Sequence, residues 1–485
     1  MVEIATSSPF WSLGGGSEPA LISDRGQSLT YDALAKLADD IAATMPDRHR
    51  KRLGLVLATN RPAALAGYLA ALRAGDAVWL QDARVDPSLA GPAIDTYRPD
   101  WIWMPADGIV PEGYRSSLRP GWIGQTRPTA TEFKPGSADY RMVWRIEDPG
   151  HAIFADLAVL LSTSGSTGSP KLVRLSHANL QANAAAIASY LGLAGDERPI
   201  TTLPLAYSYG LSVINSHLLA NAAILLTEES VVNREFWDFF ATGRATSLAG
   251  VPYLYRVLHR LDLSAMRLLN LRTLTQAGGR LDGTLVRSFA QLALDRAWKF
   301  YTMYGQTEAT ARISFLPPEL ALAKAGSIGV AIPGGRLDID SASQELIYRG
   351  PNVMLGYASA PEDLALGDVQ LGVLATGDLG YQDDDGLFYV TGRKKRMLKV
   401  HGHRLNLDEL ERTLESALGK AVACVGADER LVAVLEEDAD QPATRRYLTE
   451  ILHLSPRSFA IVIRSPLPRF SSGKVDYGRL EALVA

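Results

Sequence analysis

The apolar positions of this 485-residue chain switch repeatedly between the spacing of a strand and that of a helix, which predicts layered α/β structure. A helix is expected from Tyr31 to Thr44, a strand from Leu53 to Ala58, a helix from Pro62 to Ala74 and a strand from Ala77 to Leu80. Pro62 suits a first helical position, which needs no N–H donor, and Gly75 suits a stop. Leu157 to Leu161 and Leu172 to Leu175 are short, continuous apolar runs of the kind found in buried strands. Leu407 to Leu418 is amphipathic, with Leu407, Leu410, Leu414 and Leu418 on one stripe and Glu409, Arg412 and Glu415 elsewhere. Pro92 to Asp148, dense in Pro, Gly and Trp, has no readable rhythm.

Between the two apolar runs near residue 165 lies LLSTSGSTGSPKLVRLSHAN, Leu160 to Asn179. Thr163, Ser164, Ser166 and Thr167 offer hydroxyl donors, Gly165 and Gly168 allow backbone N–H groups to come close, and Lys171 adds a cation. That combination suits a polyphosphate. A flexible Ser/Gly linker is the plainer alternative, but it requires neither a lysine nor flanking strands. No Gly-Lys-Ser/Thr follows the glycines, so this is not a Walker A loop.

Further motifs follow in order. QAGGRL, Gln276 to Leu281, places Gly278, Gly279 and Arg280 where backbone could lie against a flat base, although a Gly-Gly pair alone is more often a turn. YGQTEAT brings Tyr304, Gly305, Gln306, Thr307 and Glu308 together, and an isolated glutamate there would ordinarily be a solvated charge. TGDLGYQDDDGLFYVTGRKKR, Thr376 to Arg396, offers Asp378 as a carboxylate that could accept two ribose hydroxyls. Asp383, Asp384 and Asp385 read as a turn before Gly386, with a strand from Leu387 to Val390. PRFSSGKVDYGRL, Pro468 to Leu480, is a Pro/Ser/Gly-rich loop carrying Lys474, which by itself would pass as a surface loop.

In order and spacing this set resembles the adenylate-forming superfamily of AMP-binding ligases: acyl- and aryl-CoA synthetases, luciferases and peptide-synthetase adenylation domains. The resemblance covers nearly the whole chain. It implies two α/β subdomains plus a distorted β-barrel, followed by a small mobile C-terminal α+β domain. The boundary is expected at Gly392-Arg393, giving a large domain over 1–392 and a small one over 393–485. The resemblance also implies roles. The phosphate loop and Lys171 orient ATP, Tyr304 stacks on adenine and Thr307 reaches the phosphate. Glu308 binds magnesium, while Asp378 and Arg393 hold the ribose. Lys474 bridges the substrate carboxylate and the α-phosphate. Lys395 occupies the hinge position, and rotation would bring Lys399 and Gly402 forward for acyl transfer.

The acid is expected between the phosphate loop and PLAYSYGLS, Pro204 to Ser212, with Tyr207, Tyr209 and Gly210 as pocket residues and Val251, Pro252 and Tyr253 as further walls. Tyr207 stands where many relatives have histidine. Pro204 to Ser212 contains no carboxylate to hold an α-ammonium group, which argues against an amino acid and for an aryl or medium alkyl acid.

Composition narrows the alternatives. A net charge of −4 provides no basic field for nucleic acid. The single cysteine, Cys424, excludes an intrachain disulfide, fits a reducing compartment, and sits in the strand-like run AVACVG, where a core role is expected. The eight histidines show no HExxH spacing. No signal-like N-terminus or spanning apolar run is evident, so the cytoplasm is the expected location.

The expected activity is condensation of a carboxylic acid with Mg-ATP into an acyl-adenylate and pyrophosphate, followed by transfer to a thiol. Coenzyme A is the first acceptor considered, a carrier-protein phosphopantetheine the second and an amine the third. Two departures from the family pattern bear on acceptor choice: NLDELE after HGHR, and Gln344 where glycine is common. A non-catalytic nucleotide-binding protein is the rival from another class, and it predicts erosion at Lys474, Glu308 or Lys171.

Overall fold

The computed structural model describes residues 8–45, 50–85, 87–116, 139–162, 171–400, 403–427, 430–451, 454–470 and 474–484. Local chemistry sets the ends of its elements. The helix Tyr31–Ala43 starts where the Thr30 hydroxyl accepts from the Ala33 N–H at 3.1 Å. It ends one residue earlier than expected because Thr44 is its cap, with the hydroxyl donating to the Ile41 carbonyl at 2.6 Å. Pro62 opens the helix Pro62–Ala74, and Gly75 closes it at a left-handed φ of 74°. This helix is apolar all round and is buried from Pro62 to Leu72, as a helix enclosed within a core must be.

Two large sheets carry most of the chain. The first runs in the order Gly356–Ala358, Leu172–Ser176, Leu157–Ser162, Ala77–Asp82, Leu53–Ala58, Trp101–Pro105, Tyr140–Arg145, Tyr114–Ser116. Its centre is parallel and both flanks are antiparallel. The strand expected over Ala77 to Leu80 continues to Asp82 because Gln81 and Asp82 stay paired with Leu57 and Ala58. Within the stretch that lacked rhythm, the structure places the helix Pro87–Tyr97, with Pro92 inside it, and short antiparallel strands. A proline in a helix removes a donor, which hides the helix from pattern reading.

The second sheet runs Val330–Ala331, Ser314–Leu316, Lys299–Tyr304, Thr273–Gln276, Ser247–Gly250, Pro199–Ile200, Ile224–Leu226, Pro19–Ser23, Ser28–Thr30. From Lys299–Tyr304 to Pro19–Ser23 its strands are parallel. Gly250, Gln276 and Tyr304 thus end their strands on one side, and open α/β sheets take ligands in the crevice outside those carboxyl ends.

A four-stranded antiparallel sheet stands where the barrel was expected: Arg336–Ile339, Glu345–Arg349, Val373–Gln382, Phe388–Arg393. The last strand starts and ends later than the sequence reading had it. The Leu387 N–H is held in the turn by Asp383 Oδ1 at 2.9 Å, and pairing of Arg393 with Asp378 extends the strand.

After Arg393 come the strands Met397–Val400 and His403–Asn406, the helix Leu407–Leu418, and a sheet of Val422–Ala427, Arg430–Leu435 and Phe459–Ile463. The Asn406 side chain caps the helix by accepting from the N–H groups of Asp408 and Glu409, and Gly419 at φ 67° ends it. Leu407, Leu410 and Leu414 are buried with Cys424, whose thiol burial pushes well above its ordinary range. The apolar stripe also contains a charge not foreseen from the pattern. Glu411 is buried, bonded to Arg396 at 2.6 Å, to the Tyr477 hydroxyl at 2.9 Å and to the Cys424 N–H.

Candidate active site

The ends of the second sheet's strands meet the four-stranded sheet and the C-terminal loop at one place. Tyr304, the last residue of its strand, donates its hydroxyl to Asp378 Oδ2 at 2.5 Å. Arg393 lies across the ladder from Asp378, with its Nε 3.4 Å from Oδ1. Burial raises the Asp378 carboxyl above the ordinary range, while Arg393 and the Tyr304 hydroxyl work against that shift. Burial and Asp378 together hold the Tyr304 phenol well above its usual value. Gln306 reaches the same strand through Nε2 to the Thr376 carbonyl at 3.3 Å.

Beyond Gly305 the chain turns through Thr307–Ala309. The Thr307 and Ser208 hydroxyls are 3.2 Å apart. Glu308 Oε1 accepts from the Tyr357 hydroxyl at 2.8 Å, and the Lys171 ammonium lies 3.4 Å from the centroid of that same ring. Tyr357, Ser208 and Arg312 were not singled out from the sequence. An aromatic beside Gly356 is a weak signal, but Arg312, a lone charge in the otherwise uncharged run ATARISF, could have been noticed.

In the QAGGRL turn, Gln276 Nε2 donates to the Gly279 carbonyl at 2.8 Å, and Arg280 is exposed beside it. Gly278 has φ 80°, and a Cβ there would lie 2.5 Å from the Tyr207 hydroxyl, so the turn and the tyrosine require a glycine between them. Lys474 lies with its Nζ 6.0 Å from the Tyr207 ring centroid. Burial, aided by the Arg393 charge, pulls its ammonium down to about 8, with Glu308 and Asp378 opposing. These interactions bring the lysine of the C-terminal loop into the same field as the residues of the large sheets.

The expected pocket residues differ in exposure. Tyr207 is partly buried. Tyr209 is fully buried, with its hydroxyl donating to the Thr275 carbonyl at 2.9 Å, and Gly210 packs so tightly that a Cβ would lie 2.3 Å from the Pro204 carbonyl oxygen. Val251 and Pro252 are buried, whereas Tyr253 is 53% exposed. Thr163, Ser164, Gly165, Ser166, Thr167, Gly168 and Gly402 lie outside the described residues, as do the side chains of Lys395 and Lys399. The backbone of Lys395 is in the single turn Lys394–Arg396, between two strands.

Among the described residues no cluster of three or more His, Cys, Asp or Glu side chains could cage a metal. One carboxylate near a cationic, hydroxyl-bearing turn suits magnesium, which commonly binds through one or two carboxylates plus substrate phosphates. Glu308 meets that description.

Comparisons with known proteins agree with this geometry. The 2-succinylbenzoate--CoA ligase of Bacillus pumilus is 29% identical over 344 residues, 67% of this chain and 68% of that protein. The indoleacetate--CoA ligase of Aromatoleum aromaticum is 31% identical over 347 residues, 67% of this chain and 66% of that one. The chain thus aligns with about two thirds of these relatives' length. Among solved structures, the o-succinylbenzoate CoA synthetase of Bacillus subtilis in complex with its acyl-adenylate intermediate matches with a TM-score of 0.74 at 21% identity, covering 98% of both chains. The same enzyme with ATP and magnesium ion matches at 0.73 and 20% identity, covering 98% of this chain and 100% of that one. The family model for AMP-binding enzymes matches residues 14–358, and the chain belongs to that family.

Proposed function

We propose that the chain is an AMP-forming acid–CoA ligase, which joins a carboxylic acid to ATP as an acyl-adenylate, releases pyrophosphate and passes the acyl group to coenzyme A. The observation that carries this reading is the placement of Lys474 beside Tyr207, in the field of Glu308 and Asp378. In the first step a carboxylate oxygen attacks the α-phosphorus and the bond to pyrophosphate breaks. Lys474 would sit between the two anions as their negative charge draws together, a fixed cation that needs no reorganisation in the transition state. Asp378 and Arg393 would hold the ribose, Tyr304 the base, and Gly278 with Gly279 the backbone surface against it. Lys171, Thr307 and the hydroxyl loop Thr163 to Gly168 would orient the phosphates. Magnesium bound at Glu308 would neutralise phosphate charge.

The division at Gly392-Arg393, with Lys395 as hinge, belongs to the same proposal. It is supported by the segregation of the described core: the apolar clusters built from Leu398 onward contain no earlier residue. Rotation there would withdraw Lys474 and present Lys399 and Gly402 for thiol transfer.

The test is pyrophosphate release from Mg-ATP over a panel of aryl, alkyl and amino acids, each with and without coenzyme A, followed by mass spectrometry. A coenzyme A thioester is expected. Adenylate without thioester would move the acceptor to a carrier protein or an amine, and no release with any acid would defeat the ligase reading.

A further inference from the structure

Behind the Tyr207 and Tyr209 pair lies a cation that none of the roles above uses. Arg312 is 2% exposed, and its guanidinium carbon sits 4.0 Å from the Tyr209 ring centroid. Its Nε is buried without a hydrogen-bond partner, and among the described residues no carboxylate pairs with it. A guanidinium keeps its charge across the working pH range, so the compensation has to come from elsewhere.

The surrounding groups cannot supply an anion. Burial pushes the Tyr190 and Tyr207 hydroxyls up to about 12 and raises that of Tyr209, with the Arg312 charge pulling the other way in each case. All three are therefore neutral phenols near pH 7. Nor is the side chain free to retreat to water. Asn352 Nδ2 donates to the Arg312 carbonyl at 2.8 Å, as does Asn183 Nδ2 at 3.4 Å, and both asparagines are buried. The preceding Thr310 holds φ 62°, an unusual value for a β-branched residue, and its hydroxyl is bonded to the Asn352 carbonyl at 2.7 Å. The backbone thus fixes a buried cation in place. Its neighbours are the neutral Tyr190 hydroxyl, which shares a hydrogen bond with it, and the Tyr209 ring, and a buried cation without an anionic partner is costly unless a ligand brings one.

The position of this cation says which ligand. The Tyr207 and Tyr209 rings are 6.4 Å apart, Lys474 lies on the Tyr207 side and Arg312 on the Tyr209 side. Each ring of the pair thus has a cation near it. We propose that Arg312 is a specificity residue for a second carboxylate on the acid, so that the substrate is a dicarboxylic acid whose two charged ends are separated by an apolar spacer. This rests on the ligase reading and narrows it. It also revises the expectation of a purely apolar acid, which considered only Pro204 to Ser212 and so did not weigh a charge one hundred residues downstream.

The experiment uses the full chain with Mg-ATP and compares kcat/KM for diacids, from succinate to suberate and the benzene dicarboxylates, with that for each monomethyl ester. For the preferred diacid the ratio is expected to exceed about 100, since a site built around a polar partner discriminates strongly against an analogue lacking it. In Arg312→Met that ratio should collapse toward about one, and Arg312→Lys should fall between. Equal use of diacids and esters by the unaltered enzyme overturns the proposal, as does an unchanged ratio in Arg312→Met. If Arg312→Met does not fold, judged by thermal unfolding and ATP binding, the ratio in the unaltered enzyme decides. If no acid releases pyrophosphate, the ligase reading fails and calorimetric titration with the same diacids decides the subsite: binding weakened in Arg312→Lys supports it, and no binding to the unaltered chain, or unchanged binding in Arg312→Lys, overturns it.

Discussion

Tyr357 donates its hydroxyl to Glu308 while its ring face carries the Lys171 ammonium, so one side chain spaces a carboxylate from a cation. Its strand, Gly356–Ala358, pairs with Leu172–Ser176 immediately after that lysine. Tyr357→Phe keeps the ring contact and removes the bond to the carboxylate. A hydrogen bond to a charged group contributes about 1.5–3 kcal/mol, so pyrophosphate release should slow by about 10- to 100-fold, with a raised magnesium requirement. Initial rates across a magnesium titration measure this, and an unchanged dependence would detach Tyr357 from the metal site.

Lys474 gives a pH prediction. Its ammonium is lowered to about 8 by burial and by Arg393, so the free enzyme loses this cation as pH rises through that value. If the cation is what adenylation requires, kcat/KM for ATP falls on the alkaline side of about 8 and not on the acid side for this reason. Lys474→Ala should lose on the order of 10²–10³ in adenylation rate at neutral pH while still binding nucleotide, with the gap to the unaltered enzyme narrowing as pH rises past about 8. A pH profile flat from neutral to alkaline would show that the charge is not used.

Asp378→Asn tests the ribose site. The amide oxygen can still accept from Tyr304, but the charge opposite Arg393 is gone. ATP affinity measured by calorimetry should weaken by about 10-fold or more. An unaltered affinity would place the ribose elsewhere.

The sequence was most readable where chemistry is local. Pro62, Gly75 and the leucines of Leu407–Leu418 depend on neighbours within a turn or two, and both helices begin where the pattern put them. The motif residues were legible as types: Tyr304 and Asp378 were both named, yet their mutual bond spans 74 positions and nothing in either motif states it. Tyr357 and Arg312 escaped because their importance lies in what faces them. Glu411 escaped for a related reason, since its position on the leucine stripe makes sense only once Arg396 and Tyr477 are seen against it.

One departure from the family pattern has a conformational cost. Gln344 stands where glycine is common, and its φ is 60°, in the left-handed region. That conformation costs an L-residue about 1–2 kcal/mol, partly offset by the entropy a glycine would lose on folding. Gln344→Gly should therefore stabilise the fold by about 0.5–1 kcal/mol, seen as a higher urea midpoint. A lower midpoint would mean that the Gln344 side-chain contact with the Ser341 carbonyl outweighs the strain.

The loop that carries Lys474 is fastened at its base. The Phe470 N–H donates to the Lys474 carbonyl at 2.8 Å, the Asp476 N–H to the Pro468 carbonyl at 2.9 Å, and Arg469 faces Val475 across an antiparallel bridge. Three residues further on, the Tyr477 hydroxyl is bonded to Glu411 and its ring lies under Arg396, one residue from Lys395. Lys474 is therefore mounted on a frame that reaches back to Arg396 and Glu411. If the small domain rotates as proposed, Lys474 would reach the nucleotide and leave it together with this frame. On this account, viscosity or a ligand that biases docking would change how often adenylation is attempted and leave the chemistry of each attempt unaltered.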